Sequence, residues 1–160
     1  MKDLQTIIKY LQEALAVAED NMNKGFGGPF GAIVVKDGKI VGRGANRVTS
    51  LNDPTAHAEV QAIRDACKTL GSFQLDGCEI YSSCEPCPMC LGAIYWARPK
   101  AIYFGSTRED AAHAGFDDDF IYREIVLPVD KRSILTKAVP FDGHLRVFEL
   151  WKKKSDRIEY

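Results

Sequence analysis

Apolar residues recur at three- and four-residue intervals along the N-terminal segment of the chain. The series beginning Leu4, Ile7 and Ile8 continues at this spacing and predicts an amphipathic helix over residues 3–23. A glycine-rich break, GFGGPFG at 25–31, follows the helix. Because it lacks the Gly-Lys-Ser/Thr ending of a phosphate-binding loop, we interpret it as a close-packed turn.

The middle of the chain alternates between strand-like and helix-like patterns. AIVVKDGKIVGRG contains two apolar runs joined at Asp37-Gly38, which predicts a hairpin. A helical pattern covers residues 56–69, CEIYSS and KAIYFGS are typical of strands, and CPMCLGAIYWA is typical of a helix. DDDFIYREI predicts a short helix and HLRVFELWKKK a terminal one. This alternation favours an α/β layered fold with helices on the faces of a sheet.

Composition then narrows the function classes. At 160 residues and 46% hydrophobic content, the chain is long enough for one domain with its own core. Its 21 basic and 22 acidic residues give a net charge of −1, which offers no basic surface to nucleic acid or an anionic membrane. We find neither a run of roughly 18–20 apolar residues nor the pattern of a signal peptide. We therefore expect a cytoplasmic protein that binds neither nucleic acid nor membrane.

Three of the five cysteines crowd into the segment SSCEPCPMC, at Cys84, Cys87 and Cys90. An odd count with this clustering suits a reduced, metal-binding chain better than a disulfide framework. Cys87 and Cys90 lie about one turn apart on a helix, so both sulfurs can reach one ion. Pro88 fits the first turn of that helix, and the positive helix end favours the thiolate form that binds metal.

A second motif, His57-Ala58-Glu59, can complete a metal site. Catalytic zinc sites use three protein ligands and leave one position to water, and His57, Cys87 and Cys90 would supply three. Glu59 lies only two residues from His57, so both serve one site only if it lies over a helix end. Either motif alone is weak, because HAE is common in surface helices and a lone CxxC also fits a redox dithiol. Together they have the H-x-E…P-C-x-x-C spacing of zinc deaminases and predict one Zn²⁺ per chain.

The role of Cys84 decides whether such a zinc is catalytic or structural. If Cys84 also bound the ion, the site would be a closed Cys3His site, which is structural. Two thiolates already neutralise the zinc, and a third would make it a poorer acid toward water. Cys84 also ends a predicted strand, ahead of the turn that presents the other two cysteines. The sequence therefore favours a catalytic zinc with Cys84 as a buried neighbouring thiol, and the closed zinc module is the alternative.

PTAHAEVQAIRDAC and SSCEPCPMCLGAIYWARP resemble the cytidine deaminase superfamily, and the whole chain resembles its small bacterial guanine deaminases. The zinc motifs do not choose a substrate, so the guanine assignment rests on FDDDFIY and the terminal Tyr160. The resemblance implies a three-layer α/β/α sandwich around a mixed five-stranded sheet, formed as a single domain over residues 1–160. It also implies a homodimer that swaps its C-terminal segments, about residues 140–160, with Tyr160 capping the partner's active site.

The resemblance further implies hydrolysis of guanine to xanthine and ammonia, with zinc-bound hydroxide attacking C2. Glu59 would shuttle protons to the purine ring nitrogen, and Asp118 would face the guanine edge and help deliver a proton to the departing ammonia. An ionised carboxylate suits this edge, because it can accept both the N1–H and the 2-amino group. The alternative for Asp117, Asp118 and Asp119 is a solvated acidic helix start, and the choice among the three stays open.

Three more residues are assigned by the same resemblance. Asn46 would hydrogen-bond the base, and Phe30 and Trp96 would form apolar walls of the site. Core packing is the alternative for both aromatic residues.

Other deaminases and two other classes of protein compete with this interpretation. Adenosine deaminases acting on tRNA share the zinc motifs but need a basic surface for phosphates, which this slightly acidic chain lacks. A cytosine deaminase of similar length is the next alternative within enzymes, and a structural zinc-binding module is the alternative outside them. A redox CxxC protein would leave His57 and Glu59 unexplained. A guanine substrate would place the protein in purine metabolism, in guanine catabolism or salvage.

Overall fold

One mixed sheet organises the chain in the computed structural model, which describes residues 3–160. In chain order the elements are α1 (Leu4–Asn23), β1 (Gly31–Lys36), β2 (Lys39–Ala45), α2 (Val48–Leu51), α3 (Ala58–Leu70), β3 (Glu79–Cys84), α4 (Pro88–Ala97), β4 (Ala101–Ser106), α5 (Arg108–His113), α6 (Asp119–Val126), a 3-10 helix (Val129–Lys131) and α7 (Arg146–Lys153). The strand order is β2-β1-β3-β4. β1 is antiparallel to β2 and β3, whereas β3 and β4 are parallel and joined through α4.

The predicted hairpin is confirmed. β1 and β2 are joined at Asp37 and Gly38, whose φ angles are 49° and 78°. Two successive residues with positive φ give a turn whose twist matches that of the flanking strands, which is why Asp-Gly is a strong hairpin signal. The first helix and the two helices that follow the HAE and PCPMC motifs also form where the sequence pattern predicts them.

Alternate residues of β1 face opposite layers of helices. Ala32 and Val34 pack in a core that includes buried residues of α3 and α4. Ile33 and Val35 pack in a second core with Tyr10 of α1. A strand buried on both faces reads as a continuous apolar run, which explains GAIVV. The predicted three-layer α/β/α arrangement is therefore confirmed.

The sheet has four strands over the described residues, so the expectation of five is wrong for this chain. β4 lies at one edge, and its last three residues are exposed. The chain leaves β4 into α5 and α6, and residues 132–140 form no strand. An apolar segment such as SILTKAV becomes a strand only when its backbone groups pair in a ladder, and the described chain provides none for it.

The chain forms two compact units, one ending at Tyr122 and the other comprising Arg123–Tyr160. The first contains the sheet, and the second contains the 3-10 helix and α7, with the boundary inside α6. No helix among residues 3–160 has the length and apolarity needed to cross a bilayer. The single-domain organisation expected from the resemblance stays a prediction.

The approach of α3 to the sheet generates a stability prediction. A Cβ on Gly44 of β2 would lie 2.1 Å from the Ala58 carbonyl oxygen and 2.2 Å from the Ala62 nitrogen, both backbone atoms of α3. We expect Gly44→Ala to lower the free energy of unfolding by about 1–3 kcal/mol or more, because overpacking usually costs this much. Urea denaturation followed by circular dichroism measures this change.

Gly92→Ala is the matched control, because a Cβ at Gly92 in α4 has no atom within 4 Å. Alanine favours a helix over glycine by up to about 1 kcal/mol, so the control should be neutral or stabilising. Equal midpoints for Gly44→Ala and the unmutated protein would show that α3 can shift away from the sheet without loss.

Candidate active site

The N-terminus of α3 presents both residues of the His57-Ala58-Glu59 motif. His57 is the N-cap, with extended backbone angles (φ −73°, ψ 157°), and Glu59 lies in the first turn. Because the N-cap residue stands outside the helical periodicity, both side chains reach one site over the helix end. Glu59 is 6% exposed, and its Oε1 accepts a hydrogen bond of 3.1 Å from the Ser82 hydroxyl.

The N-terminus of α4 presents the two cysteines in the same way. Cys87 is the N-cap, and Pro88 occupies the first helical position, where its missing N–H leaves no hydrogen bond unmade. Cys90 follows in the first turn and is fully buried. Both halves of the site thus lie at positive helix ends, which favour thiolates and carboxylates.

The His57–Cys87–Cys90 group fits a zinc ion. Its three ligand atoms all lie within 4.8 Å of one another, and His57 Nδ1 is 3.5 Å from Cys87 Sγ. Nitrogen and sulfur ligands about 2.0 and 2.3 Å from a tetrahedral zinc are about 3.5 Å apart, so this spacing needs little adjustment. Two thiolates and one imidazole would supply three ligands and leave the fourth position for water.

Cys84 lies outside this group. Its Sγ donates a hydrogen bond of 3.5 Å to the Thr107 carbonyl oxygen, and burial raises its pKa to about 11. A neutral thiol engaged with the backbone is a poor zinc ligand. This placement agrees with three protein ligands rather than four.

Hydrogen bonding within the group sets the charge of its thiols. The hydrogen bond from Cys90 lowers the pKa of Cys87 to about 4, with a further contribution from the contact with His57. The same bond raises the pKa of Cys90, and the bond with Cys87 raises the pKa of His57. The lowered pKa favours the thiolate form of Cys87, whereas zinc binding requires Cys90 to lose its proton and His57 to be neutral.

Two carboxylates adjoin the group. Burial raises the pKa of Glu59, and the hydrogen bonds to Glu59 oppose this effect. Burial also raises the pKa of Asp118, with a second contribution from the Cys87 thiolate. A carboxylate whose pKa moves toward neutrality is a better proton carrier, because it can both take and release a proton near the working pH.

These side chains line one cavity of about 520 Å³. Its predicted members are Phe30, Asn46, His57, Glu59, Cys87 and Asp118. The Phe30 and Phe116 rings meet edge to face with centroids 4.9 Å apart, and both line the cavity. A concave, mostly apolar site with a few convergent polar groups is typical of small-ligand binding.

Asn46 is fixed in a defined orientation. Its Oδ1 accepts hydrogen bonds from the backbone N–H groups of Gly28 and Val48, each at 3.3 Å. Its backbone carbonyl accepts a bond of 2.8 Å from Asn21, and a Cβ on Gly27 would lie 2.0 Å from that same carbonyl oxygen. The predicted close-packed glycine turn is thus confirmed. Because the oxygen is engaged, the Nδ2 group of Asn46 is the one that can donate to a ligand.

The three aspartates have different surroundings. Asp117 accepts a hydrogen bond of 3.0 Å from the N–H of Asp119, the first residue of α6. Asp117 and Asp118 both line the cavity, and Asp119 does not. The alternative of an acidic helix start fits Asp119 in the first turn of α6 and Asp117 beside it, and the role of Asp118 toward a ligand stays a prediction.

Two predicted site residues differ from the others in their placement. Trp96 lies on α4 and is 63% exposed, so it does not form a cavity wall within the described chain. Tyr160 belongs to the second unit and is exposed there. Both assignments stay predictions that depend on contacts beyond this one chain.

Sequence reasoning missed three residues that the fold brings to the site. Ser82 bonds Glu59, Phe116 packs on Phe30, and Arg108 lines the cavity. The sequence pattern gave no reason to select Ser82, since serine is common at strand ends. Arg108 could have been selected from the sequence. It begins the helix that follows β4, and β4 is parallel to β3, which ends at Cys84, so both segments leave the sheet at the same edge.

Comparison with known proteins identifies the family. Residues 4–106 match the cytidine and deoxycytidylate deaminase zinc-binding region. The chain belongs to this deaminase family. The superfamily resemblance is thus confirmed, and so is the zinc cofactor, for which His57, Cys87 and Cys90 form a group of suitable ligands.

Members of this deaminase family with different substrates are similar to the chain over different lengths. The guanine deaminase of Bacillus subtilis (strain 168) is 56% identical over 151 residues, which cover 94% of this chain and 97% of that protein. The crystal structure of guanine deaminase from Bacillus subtilis has a TM-score of 0.94 at 53% identity and covers 99% of both chains. The tRNA-specific adenosine deaminase of Aquifex aeolicus is 42% identical over 66% of this chain and 68% of its own length.

The ligand group generates a prediction about metal content. We expect the purified protein to hold about one zinc per chain and Cys90→Ser to hold far less, because a serine hydroxyl is a poor replacement for a buried thiolate ligand. Inductively coupled plasma mass spectrometry after dialysis measures the zinc.

Cys84→Ser is the matched control and should keep its zinc. Loss of zinc from Cys84→Ser, with the fold retained by circular dichroism, would support the closed Cys3His site and count against a catalytic metal.

Proposed function

We propose that this protein is a zinc-dependent guanine deaminase that hydrolyses guanine to xanthine and ammonia. The observation that carries the proposal is the extent of similarity to the Bacillus subtilis guanine deaminase, 56% identity over 94% of the chain. The matched zinc-binding region ends at residue 106, whereas that similarity continues beyond it. Asp118 and Phe116 lie in this later part, so the aligned length includes positions that line the cavity.

His57, Cys87 and Cys90 would hold the zinc in this enzyme. When bound, zinc supplies the Lewis acidity that makes a water nucleophilic near neutral pH. The chemistry that remains for the protein is to orient the base, carry protons and exclude competing water.

Glu59 is placed to carry protons between water and the purine ring nitrogen. Its burial and raised pKa favour uptake of a proton from the attacking water. The hydrogen bond from Ser82 to Oε1 orients this carboxylate. Once that proton has passed to the ring nitrogen and hydroxide has added at C2, the same carboxylate can take the second proton from the C2 hydroxyl and pass it to the amino group that leaves.

Asp118 would recognise the reacting edge of guanine. An ionised carboxylate accepts both the N1–H and the 2-amino group, which are adjacent donors on that edge. Asp118 would then help to protonate the amino group that departs as ammonia. Asn46 Nδ2 would donate to the base, and the Phe30 ring would pack against its face.

Related structures support a purine base as the ligand. A structure 33% identical to this chain, with a TM-score of 0.65, holds 2,6-diaminopurine. The structure of guanine deaminase from Nitrosomonas europaea has the same TM-score at 32% identity and covers 68% of this chain.

The C-terminal segment and the assembly belong to the same proposal. We propose one deaminase domain per chain and a homodimer in which residues of about 140–160 exchange, so that Tyr160 caps the partner's site. The exposed apolar side chains of α7, Val147, Phe148 and Trp151, support an additional covering surface. A thiolate-rich zinc site also supports the reducing cytoplasm as the location.

The substrate assignment is tested by ammonia release. We expect zinc-replete protein to release ammonia from guanine, and not from cytosine, adenine or a tRNA anticodon hairpin. Glu59→Gln should lower kcat by about 10²–10⁴-fold, the usual contribution of general acid–base catalysis, while keeping its zinc. Activity on another of these substrates and silence on guanine would replace the guanine assignment with that substrate.

The role of Asp118 is tested by Asp118→Asn. The amide replaces one acceptor by a donor that opposes the guanine donors, so we expect kcat/KM for guanine to fall by about 10²-fold or more. Asp119→Asn is the matched control, since Asp119 does not line the cavity. Equal activity of Asp118→Asn and the unmutated enzyme would remove Asp118 from the mechanism.

A further inference from the structure

Tyr122, the last residue of the FDDDFIY motif, contacts the loop that presents the metal ligands. Its hydroxyl donates a hydrogen bond of 3.2 Å to the carbonyl oxygen of Pro86. Pro86 comes immediately before Cys87, which is the N-cap of α4 and a member of the zinc ligand group. The bond therefore joins α6 directly to the backbone beside a metal ligand. The proposed chemistry uses Asp118 from this motif and assigns no part to Tyr122.

The loop between β3 and α4 is fixed by other hydrogen bonds as well. The backbone N–H of Glu85 donates to the Ser106 carbonyl at 2.9 Å, and Glu85 Oε2 accepts from the Arg108 N–H at 3.1 Å. Cys84 Sγ donates to the Thr107 carbonyl at 3.5 Å. These bonds tie the loop to the end of β4 and the start of α5. The bond from α6 therefore places α6 against a loop that is already fixed.

The ring of Tyr122 has a separate contact. The guanidinium carbon of Arg108 lies 4.9 Å from the ring centre, a cation–π distance. This contact involves the ring and not the hydroxyl, so Tyr122→Phe removes the bond to Pro86 and keeps the ring contact. The role of the hydroxyl can therefore be measured by itself.

Asp118 is tied to Tyr122 through the backbone. The Asp118 carbonyl oxygen accepts hydrogen bonds from the N–H groups of Ile121 at 2.9 Å and Tyr122 at 3.4 Å. Asp118 thus stands at the start of α6, about one helical turn before Tyr122. Within residues 3–160, no side chain of α6 is buried, so polar contacts such as the Tyr122 hydroxyl bond fix its first turn more than packing does.

We propose that Tyr122 is a positioning residue whose hydroxyl bond to Pro86 sets the place of the Asp118 carboxylate relative to Cys87 and the bound metal. This inference rests on the proposed guanine deaminase activity. Groups that act together in catalysis need positions correct to about 0.5 Å, and a displacement of about 1 Å can cost about 10²-fold in rate. A bond one turn from Asp118 is close enough to control that position, although Tyr122 is not among the described residues that line the cavity.

The test is a double-mutant cycle of Tyr122→Phe and Asp118→Asn. In zinc-replete enzyme, we expect Tyr122→Phe alone to lower kcat/KM for guanine about tenfold, through loss of one hydrogen bond at a site that needs accurate placement. In the Asp118→Asn background, the same change should lower kcat/KM by no more than about twofold, because its effect passes through the Asp118 carboxylate. Zinc content should be the same in all four proteins, since the loop keeps its other hydrogen bonds.

A binding measurement extends this cycle to proteins that turn over too slowly. In the Glu59→Gln background, Tyr122→Phe should raise the Kd of 8-azaguanine, which keeps the N1–H and the 2-amino group, about threefold or more. Addition of Asp118→Asn should abolish this difference. Isothermal titration calorimetry measures each Kd.

Tyr10→Phe is the matched control. The Tyr10 hydroxyl also donates to a backbone carbonyl, that of Gly38 at 2.8 Å, but this bond lies at the turn between β1 and β2, away from the cavity. Both tyrosine substitutions should lower the midpoint of urea denaturation, whereas Tyr122→Phe alone should lower kcat/KM.

An equal loss of kcat/KM from Tyr122→Phe with and without Asp118→Asn would overturn the inference and assign Tyr122 a purely structural role. Unchanged kcat/KM in Tyr122→Phe would overturn it too. Failure of the unmutated enzyme to release ammonia from guanine would instead overturn the proposed function, and this inference with it.

Discussion

The close approach of α3 to the sheet is the constraint on which the site depends. Gly42 and Gly44 of β2 lie against the backbone of α3, and a Cβ at either would meet α3 atoms at 2.6 Å or less. On the helix side, Ala58, Ala62 and Ala66 are fully buried at this contact. Small residues on both surfaces allow the helix to lie close to the sheet, and its N-terminus then places His57 and Glu59 beside the α4 N-terminus. A larger side chain on either surface would move one half of the zinc site relative to the other.

Charge compensation within the site follows from that geometry. Two helix N-termini, an imidazole and a zinc ion together stabilise two thiolates and a buried carboxylate, groups that are costly to bury singly. The hydrogen bond between Cys90 and Cys87 lowers the pKa of Cys87 and raises that of Cys90. Cys84 donates instead to the Thr107 carbonyl, so the group would supply two thiolates, which would neutralise the charge of a bound zinc ion. The result is a group of ligands suited to activating water.

The residues that line the cavity come from two kinds of segment. Asn46 is fixed by bonds to two backbone N–H groups, so the direction of its amide donors is set before a ligand enters. Asp118 and Arg108 come instead from the segments that follow β4, which carry few buried side chains. Asp118 and Arg108 lie beyond the matched zinc-binding region, which ends at residue 106, whereas Phe30 and Asn46 lie within it.

The spacing of residues within single elements by itself determined much of this protein. The three-residue interval from Cys87 to Cys90, the proline between them and the H-x-E motif predict helix N-termini and a three-ligand zinc site, because these features depend on local backbone geometry. The Asp-Gly turn and the apolar run of β1 predict the hairpin and a two-faced core for the same reason.

Only the tertiary structure decided which distant side chains meet. It brought Ser82 to Glu59 and Arg108 to the cavity. It also placed Trp96 on the exposed surface of α4 and limited the sheet to four strands over the described residues. Periodicity reports which face of an element is apolar, but not which neighbour covers it. That choice depends on packing between segments far apart in the chain, where no local pattern carries the information.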